Sequence, residues 1–240
     1  MERVLTSQLK QHPGQKVMMQ GWVHRIRSLG QVTFIVLRDR GGIRQVVVEG
    51  NNIDVSVLTN ESVIKVEGLV KLEEKAPSGV ELQATDLKII SQPADSPPIA
   101  INSKDICSTT RLDTLLKHRS ISLRNPKIRA IFKVQAEIIT AFRDFLKSQG
   151  FTEISTPKIV SSATEGGAEL FPVQYFEQKA YLAQSPQFYK QMMVGSGFER
   201  VFEVGKAYRA EEHNTARHIN EFLSLDYEMG FIQDEQIPRI

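Results

Sequence analysis

Five short stretches of β-type sequence fill most of the first ninety residues, and they limit the possible folds more than any other feature. They occupy residues 17–24, 32–38, 43–49, 62–71 and 80–90. Glycine and polar turn residues separate them at close spacing, as in small all-β domains. This end of the chain is therefore predicted to be a compact β structure.

The segment between the third and fourth stretches refines that prediction. Residues 51–58 are polar with an apolar periodicity, which predicts a helix there. Five strands with a helix between the third and fourth match the Greek-key OB barrel. A small all-β sandwich of another topology is the alternative.

Proline marks the end of this region. Pro93, Pro97 and Pro98 lie among serine and aspartate in 91–98, a composition that discourages helix and strand. We place a domain boundary there, followed by a polar hinge over 99–125. Asn125 and Pro126 then form a helix start, and apolar residues at helical spacing continue until Gly150 ends the helix.

The remaining sequence mixes helix and strand. It predicts a strand over 151–155, a hairpin over 171–182, a helix over 186–195, and strands over 201–209 and 221–229. Such a pattern is typical of an α+β domain with an antiparallel sheet. The predicted domains are 1–98, 99–125 (the hinge) and 126–240.

The composition excludes some classes of site and partner but does not indicate a function. The 240 residues are 41% hydrophobic and 24% charged with a net charge of +2, so any nucleic-acid partner must meet a local basic patch. The single cysteine, Cys107, excludes an internal disulfide and a cysteine-based zinc site. The first residues lack the apolar run of a signal peptide or membrane span, so a cytoplasmic protein without a membrane partner is expected.

Aromatic and basic side chains concentrate between Trp22 and Arg44, across the first three predicted strands, and Asp39 is the only acid in that span. Arginine neutralises phosphate and stacks on bases, and aromatic rings hold unstacked bases, so the cluster is typical of single-stranded RNA binding. A solvated strand face with Phe34 in the core is the alternative. The cluster comprises Trp22, His24, Arg25, Arg27, Phe34, Arg38, Arg40 and Arg44.

A second cluster, 208–218, carries two arginines and two histidines between two apolar strands. One guanidinium group can bind two phosphate oxygens at once, so this segment could bind a polyphosphate. It could also be a polar surface loop. Zinc binding by His213 and His218 beside Glu211 and Glu212 is a third reading, but their spacing is not that of a helical two-histidine motif. No metal site is expected within the chain.

A third set comprises the glycine-containing loop 161–171 and the segment 184–190. Paired glycines allow a mobile loop, and Gln187 with Lys190 could be an ordinary exposed helix pair. Neither feature indicates a function alone.

In this order, the segments together resemble the class II aminoacyl-tRNA synthetases, specifically the archaeal and eukaryotic type of aspartyl-tRNA synthetase. Residues 126–157 resemble motif 1, which builds the dimer interface in that family, and 202–226 resemble motif 2. Residues 164–169 and 184–190 narrow the resemblance to the aspartyl and asparaginyl branch. The implied fold is an N-terminal all-β OB barrel plus part of an α+β class II synthetase domain with an antiparallel sheet.

The resemblance implies ATP-dependent activation of L-aspartate and its transfer to tRNA. Arg209 would hold the α-phosphate and the substrate carboxylate as the catalytic residue, and Phe222 would stack on adenine. Lys190 would bind the side-chain carboxylate, while Glu165, Gln187 and Asp226 would receive the ammonium group. The implied aspartate site is Glu165, Gln187, Phe188, Tyr189, Lys190, Arg209 and Asp226; the implied ATP site is Arg209, Ala210, Glu211, Arg217, His218, Ile219 and Phe222.

For tRNA, the resemblance points to His24, Arg25, Arg27, Phe34 and Pro77. His24 with Pro77 resembles the relaxed type that charges both tRNA(Asp) and tRNA(Asn). A homodimer through motif 1 is also implied.

The family's third motif and its Mg²⁺ ligands would lie beyond residue 240, so a truncated polypeptide without adenylation activity of its own is expected. The alternatives are an asparaginyl-tRNA synthetase, an asparagine synthetase derived from this fold, and a non-catalytic tRNA-binding protein.

Overall fold

The computed structural model describes residues 2–50, 53–162, 170–212, 215 and 218–233. The chain divides into two compact units, Met1–Phe132 and Lys133–Ile240. No helix in the described part is both long enough and apolar enough to cross a membrane.

The first unit contains a closed five-stranded barrel. Its strands are β1 (Lys16–Leu29), β2 (Val32–Asp39), β3 (Gly42–Glu49), β4 (Val63–Leu72) and β5 (Val80–Ser91), hydrogen-bonded in the order β1-β2-β3-β5-β4. β4 and β1 close the barrel, and only the β3–β5 pair is parallel. The predicted OB barrel is confirmed.

The barrel interior is packed with alternate apolar residues from every strand. Met19, Ile35, Val46, Ile64 and Leu82 are fully buried. Because strand side chains alternate between the two faces, the intervening residues of β1 and β2 point outward. This alternation makes the outer face of the barrel available for binding.

The connection from β3 to β4 does not form the predicted helix. Its described residues, 53–62, form bends and turns. The Asp54 carboxylate accepts hydrogen bonds from the backbone N–H and the hydroxyl of Ser56, and the Leu58 N–H bonds to the Val55 carbonyl. Such local side-chain to backbone bonds favour turns over helix.

The segment predicted as a polar hinge carries helical structure. It contains three short helices, α1 (Ile106–Thr109), α2 (Leu112–Lys117) and α3 (Arg119–Ser122). A small core holds them: Ile99, Ile101, Ile106, Leu115 and Ile128 are buried together. These apolar residues are too sparse to form a helical period, so the short helices were not predicted from the sequence.

Helix α4 (Pro126–Ser148) begins and ends as predicted. The Asn125 side chain accepts a hydrogen bond from the Lys127 N–H, and its amide donates to the Ile101 and Ser103 carbonyls. At the other end Gly150 has φ 81°, a conformation that favours glycine, and the Phe151 N–H bonds back to the Leu146 carbonyl.

The second unit contains two small sheets and a helix. Its elements are β6 (Thr152–Glu153), β7 (Ile159–Val160), β8 (Pro172–Tyr175), β9 (Gln178–Leu182), α5 (Gln187–Met193), β10 (Arg200–Tyr208) and β11 (Glu221–Met229). A π-helical turn, Val194–Phe198, follows α5. β7, β9 and β8 pair antiparallel. In the other sheet β10 pairs antiparallel with β11 but parallel with β6, so this sheet is mixed rather than purely antiparallel.

One face of the β6-β10-β11 sheet is apolar. Phe142 and Leu146 of α4 pack there against Phe151 and Phe202, and the Phe142 and Phe202 rings meet edge to face with centroids 5.9 Å apart. Tyr227 and Met229 of β11 complete this core. The opposite face of the same two long strands is polar.

Candidate active site and nucleic-acid-binding face

The polar face of β11 carries four residues at alternating positions. Phe222, Ser224, Asp226 and Glu228 share this face because side chains two residues apart point the same way along a strand. The intervening Tyr227 belongs to the apolar core on the other side. The strand therefore places two acids, a hydroxyl and an aromatic ring in one row.

Lys190 of α5 is the buried cation of this face. Its side chain is 3% exposed, and its Nζ lies 3.0 Å from Asp226 Oδ1, 3.3 Å from the Tyr227 carbonyl and 3.4 Å from Glu228 Oε2. An ammonium group has three N–H donors, so these three oxygens match its capacity. A buried charge of this kind requires such partners, because desolvation alone would disfavour it.

Each of the two acids beside Lys190 also accepts a hydrogen bond from a neutral side chain. The Ser224 hydroxyl donates to Asp226 Oδ2, and the Gln187 amide donates to Glu228 Oε2 at 3.1 Å. Gln187 and Lys190 lie three positions apart on α5 and so face the same side of that helix. The four side chains form a connected network around one ammonium group.

A second ion pair lies on the same face of β10. Glu203, the register partner of Asp226, is buried and accepts hydrogen bonds from the Thr156 N–H at 2.7 Å and from Lys158 Nζ at 2.8 Å. A Cβ atom on Gly205 would lie 3.0 Å from Lys158 Nζ. Glycine at this position leaves the space that the lysine occupies.

Arg209 and Phe222 meet at the far end of the two strands. The guanidinium carbon lies 5.5 Å from the centroid of the Phe222 ring, within the range of a cation–π contact. The Arg209 N–H bonds to the Asn220 carbonyl, and the Glu211 N–H bonds to the Arg209 carbonyl. Phe222 and Asp226 are four positions apart, so the ring and the acid lie about 13 Å apart along β11.

The other predicted active-site residues are placed as follows. His218 Nδ1 lies within hydrogen-bonding distance of the Thr215 hydroxyl, Phe188 and Ile219 are exposed, and Tyr189, Ala210 and Glu211 are partly buried. Glu165, His213 and Arg217 lie outside the described residues. Within the described part, no group of three or more histidine, cysteine or acidic side chains is arranged to hold a metal ion.

The outer face of β1 and β2 brings together three of the residues predicted to bind RNA. Arg27 is the register partner of Phe34, and Arg25 is the partner of Val36. Both arginines are exposed and Phe34 is partly buried, so the ring is flanked by accessible guanidinium groups. Pro77 is exposed in the turn Pro77–Gly79 before β5.

His24 and Arg38 lie apart from this exposed face. Arg38 is 2% exposed and makes two hydrogen bonds to Glu61, of 2.8 and 2.7 Å, while Arg124 bonds to the same carboxylate at 2.9 Å. Arg38 Nη1 also lies 3.0 Å from His24 Nδ1. Because arginine only donates, Nδ1 of His24 must accept, and the histidine is neutral with its proton on Nε2.

The protonation of these groups follows from their surroundings. Burial, together with the positive charge of Arg38, lowers the pKa of His24 below its ordinary value. Burial alone would raise the pKa of Glu61, but the hydrogen bonds and charges of Arg38 and Arg124 outweigh it and hold that pKa below the ordinary value. His24 is therefore neutral and Glu61 ionised at neutral pH.

Sequence reasoning missed Ser224, Glu228, Glu203 and Lys158. Lys158 and Glu228 lie outside the motif-like segments, and the resemblance assigned no role to Glu203 or Ser224 within 202–226. The proximity of the strand residues depends on the β10–β11 register. The period-two pattern of β11 is the one signal that could have placed Ser224 and Glu228 beside Asp226.

Comparison with known proteins agrees with this architecture. Residues 111–240 match the family model described as tRNA synthetases class II (D, K and N), and residues 17–90 match the model of the OB-fold nucleic acid binding domain. Among solved structures, the asparaginyl-tRNA synthetase of Pyrococcus horikoshii complexed with asparaginyl-adenylate superposes with a TM-score of 0.87 at 34% identity, over 96% of this chain and 54% of that chain. The aspartyl-tRNA synthetase of Entamoeba histolytica gives 0.76 at 28% identity, over 97% and 51%.

Two similar curated proteins carry the same name. Aspartate–tRNA(Asp/Asn) ligases of Deinococcus radiodurans and Thermus thermophilus are 52% and 49% identical to this chain, each over 98% of it. The matches cover 53% and 54% of those proteins, so the chain spans about half the length of the curated relatives it matches. By the model match over residues 111–240 together with the OB barrel, the chain belongs to the class II tRNA synthetases of the D, K and N group.

Proposed function

We propose that this protein acts as an aspartate–tRNA ligase, which activates L-aspartate with ATP and transfers it to tRNA(Asp) and tRNA(Asn). The observation that carries the proposal is the buried Lys190 ammonium between Asp226 and Glu228. A fixed cation beside two acids suits a substrate that has one ammonium group and an extra carboxylate. The names of the curated relatives support the same substrates.

The first step joins the α-carboxylate of aspartate to the α-phosphorus of ATP and releases pyrophosphate. The attacking carboxylate is already ionised, so no general base is needed and catalysis is positioning plus charge stabilisation. Arg209 is the proposed catalytic residue, because its guanidinium can hold both the substrate carboxylate and the α-phosphate. ATP enters as a substrate accompanied by Mg²⁺.

The adenine and the amino acid of the adenylate would bind at different positions along β11. Phe222 would stack on adenine beside Arg209, and Asp226 with Lys190 would hold the amino acid about 13 Å further along the strand. Glu211, His218 and Arg217 would complete the ATP site with Ala210 and Ile219. Glu165, Gln187, Phe188 and Tyr189 would complete the aspartate site.

Lys190 also explains a preference for aspartate over asparagine. The neutral amide of asparagine would give the ammonium no charged oxygen at the position where the side-chain carboxylate of aspartate would bind. Such a loss costs about 1.5–3 kcal/mol for a hydrogen bond to a charged group. We infer that charge, rather than shape, selects the amino acid.

The barrel would bind the anticodon through Arg25, Arg27 and Phe34, whose exposed arginines and aromatic ring suit unstacked bases. His24 and Pro77 would tolerate both tRNA(Asp) and tRNA(Asn). The protein would work in the cytoplasm, where these tRNAs are charged.

A homodimer through α4 is also proposed. Ile131, Val134, Ile138 and Phe145 of this helix are exposed and lie at spacings of three, four and seven residues, so they form an apolar stripe. A second copy of the same helix would cover that stripe, as the resemblance to motif 1 implies.

Aminoacylation by the full-length protein tests the proposal. Transcripts of tRNA(Asp) and tRNA(Asn) are each incubated with ATP and with radiolabelled aspartate or asparagine. We expect aspartate to be attached to both transcripts and asparagine to neither. Attachment of asparagine alone would indicate an asparaginyl-tRNA synthetase, ATP-dependent amide formation without tRNA an asparagine synthetase, and tRNA binding without aminoacylation a non-catalytic protein.

A further inference from the structure

We propose that Ser224 is a positioning residue that keeps Lys190 available for the side-chain carboxylate of aspartate. The inference rests on the proposed function and adds to it a residue of the segment 202–226 to which the resemblance assigned no role. It begins from the hydrogen bond that the Ser224 hydroxyl donates to Asp226 Oδ2.

The Lys190 ammonium commits its three N–H donors unequally. Two of them make hydrogen bonds, to Asp226 Oδ1 at 3.0 Å and to the Tyr227 carbonyl at 3.3 Å. The third direction leads to Glu228 Oε2 at 3.4 Å, an oxygen that also accepts a hydrogen bond from the Gln187 amide. This third donor is the one that an incoming carboxylate can take with the least loss.

Ser224 determines whether the Asp226 carboxylate also binds the third N–H donor of Lys190. With Oδ2 held by the hydroxyl, Asp226 presents only Oδ1 to the ammonium. Without the hydroxyl, the carboxylate can rotate and place both oxygens on Lys190. A lysine chelated in this way has no remaining donor for the substrate.

Position 224 suits this task because of its place on the strand. Ser224 and Asp226 are two residues apart on the same face of β11, and the register partner of Ser224 is Gly205, which has no side chain to compete for the hydroxyl. The Ser224 hydroxyl therefore donates its hydrogen bond to Asp226. Threonine would retain the hydroxyl and suits a strand.

The test uses pyrophosphate exchange by the full-length protein carrying Ser224→Ala. We expect the KM for L-aspartate to rise about tenfold, which corresponds to about 1.4 kcal/mol for a hydrogen bond to a charged group, while the KM for ATP and the melting temperature stay near the wild-type values. Ser224→Thr should restore the KM for aspartate. If Ser224 had only a structural role, its replacement would not raise the KM for aspartate while leaving the KM for ATP unchanged.

Ser196→Ala is the matched control, since the Ser196 hydroxyl donates only to the Met192 carbonyl on an exposed helix end. An aspartate KM in Ser224→Ala equal to that of this control would overturn the role of Ser224. So would a parallel rise in both KM values that threonine does not reverse. A wild-type protein that exchanges pyrophosphate with asparagine but not aspartate would instead overturn the proposed function, and this inference with it.

Discussion

At the scale of single residues, the proposed function makes amino-acid choice depend on the charge of Lys190. Replacing it with methionine keeps most of the side-chain volume but removes the ammonium beside Asp226 and Glu228. We expect kcat/KM for aspartate in pyrophosphate exchange to fall about hundredfold or more, because the two partly buried acids would then repel the substrate carboxylate.

Lys206→Met provides the control for that experiment. Lys206 pairs with Glu221 on an exposed part of β10, with a distance of 2.7 Å, and surface pairs of this kind contribute little. Aspartate activation should be unchanged in this variant. If Lys190→Met retained normal selection of aspartate, Lys190 would not be the selecting cation.

A second prediction at this scale concerns pH and the buried His24–Arg38–Glu61 group of the barrel. A lowered pKa means that the unfolded chain takes up the proton first, so the stabilisation is complete above the ordinary pKa and is lost as the pH falls through the folded one. For His24 the loss should begin near pH 6.5, and for Glu61 near pH 4.5.

Urea unfolding at several pH values measures this dependence. The free energy of unfolding should decline from about pH 6.5 downward. His24→Gln, which cannot take up a proton, should flatten the first part of the decline and leave the acidic part intact. An identical pH profile in wild type and variant would show that His24 contributes nothing to it.

At the scale of elements, close approach of two strands fixes Gly68 of β4. A Cβ atom there would lie 2.1 Å from the Gln83 carbonyl oxygen, which no rotamer change can relieve because both atoms are backbone or bound directly to it. Gly68→Ala should therefore destabilise the barrel by about 3 kcal/mol. Gly195→Ala, where nothing lies within 4 Å, should leave the denaturation midpoint unchanged or raise it.

The apolar stripe of α4 gives a prediction about assembly. Ile138→Glu would place a charge in the proposed interface, so sedimentation velocity should show a monomer. Thr140→Glu adds the same charge at an exposed position on the opposite side of the helix and should leave the dimer intact. Equal sedimentation of both variants and the wild type would exclude this helix face as the interface.

These elements also show how far sequence patterns reach. The five strands and α4 were predictable because long runs of alternating or helical apolar residues define them. Helices α1 to α3 were not, since five buried residues spread over thirty positions give no period. The network around Lys190 depends on strand register, which the spacing of residues in the sequence does not reveal. Lys190 and Asp226 were predicted as site residues, whereas Ser224 and Glu228 were not.

At the scale of the whole molecule, the residues proposed to bind RNA and those proposed to bind the amino acid belong to different compact units, 1–132 and 133–240. A substitution in one unit should therefore change the kinetic constants for the substrate that this unit is proposed to bind, and leave those for the other substrate unchanged. We expect Arg27→Ala to raise the KM for tRNA and to reduce the salt dependence of tRNA binding, because one phosphate contact is lost. Pyrophosphate exchange with aspartate, which needs no tRNA, should stay at the wild-type rate.

Lys88→Ala tests whether any basic residue on the barrel would have the same effect. Lys88 is exposed on β5 and pairs in register with Lys65 of β4, away from the β1–β2 face. The KM for tRNA should be unchanged in this variant, since general attraction to phosphate falls off over about 10 Å in ordinary salt. If Arg27→Ala and Lys88→Ala weakened tRNA binding equally, the barrel would attract RNA by overall charge, and the paired arrangement of Arg27 with Phe34 would have no specific role.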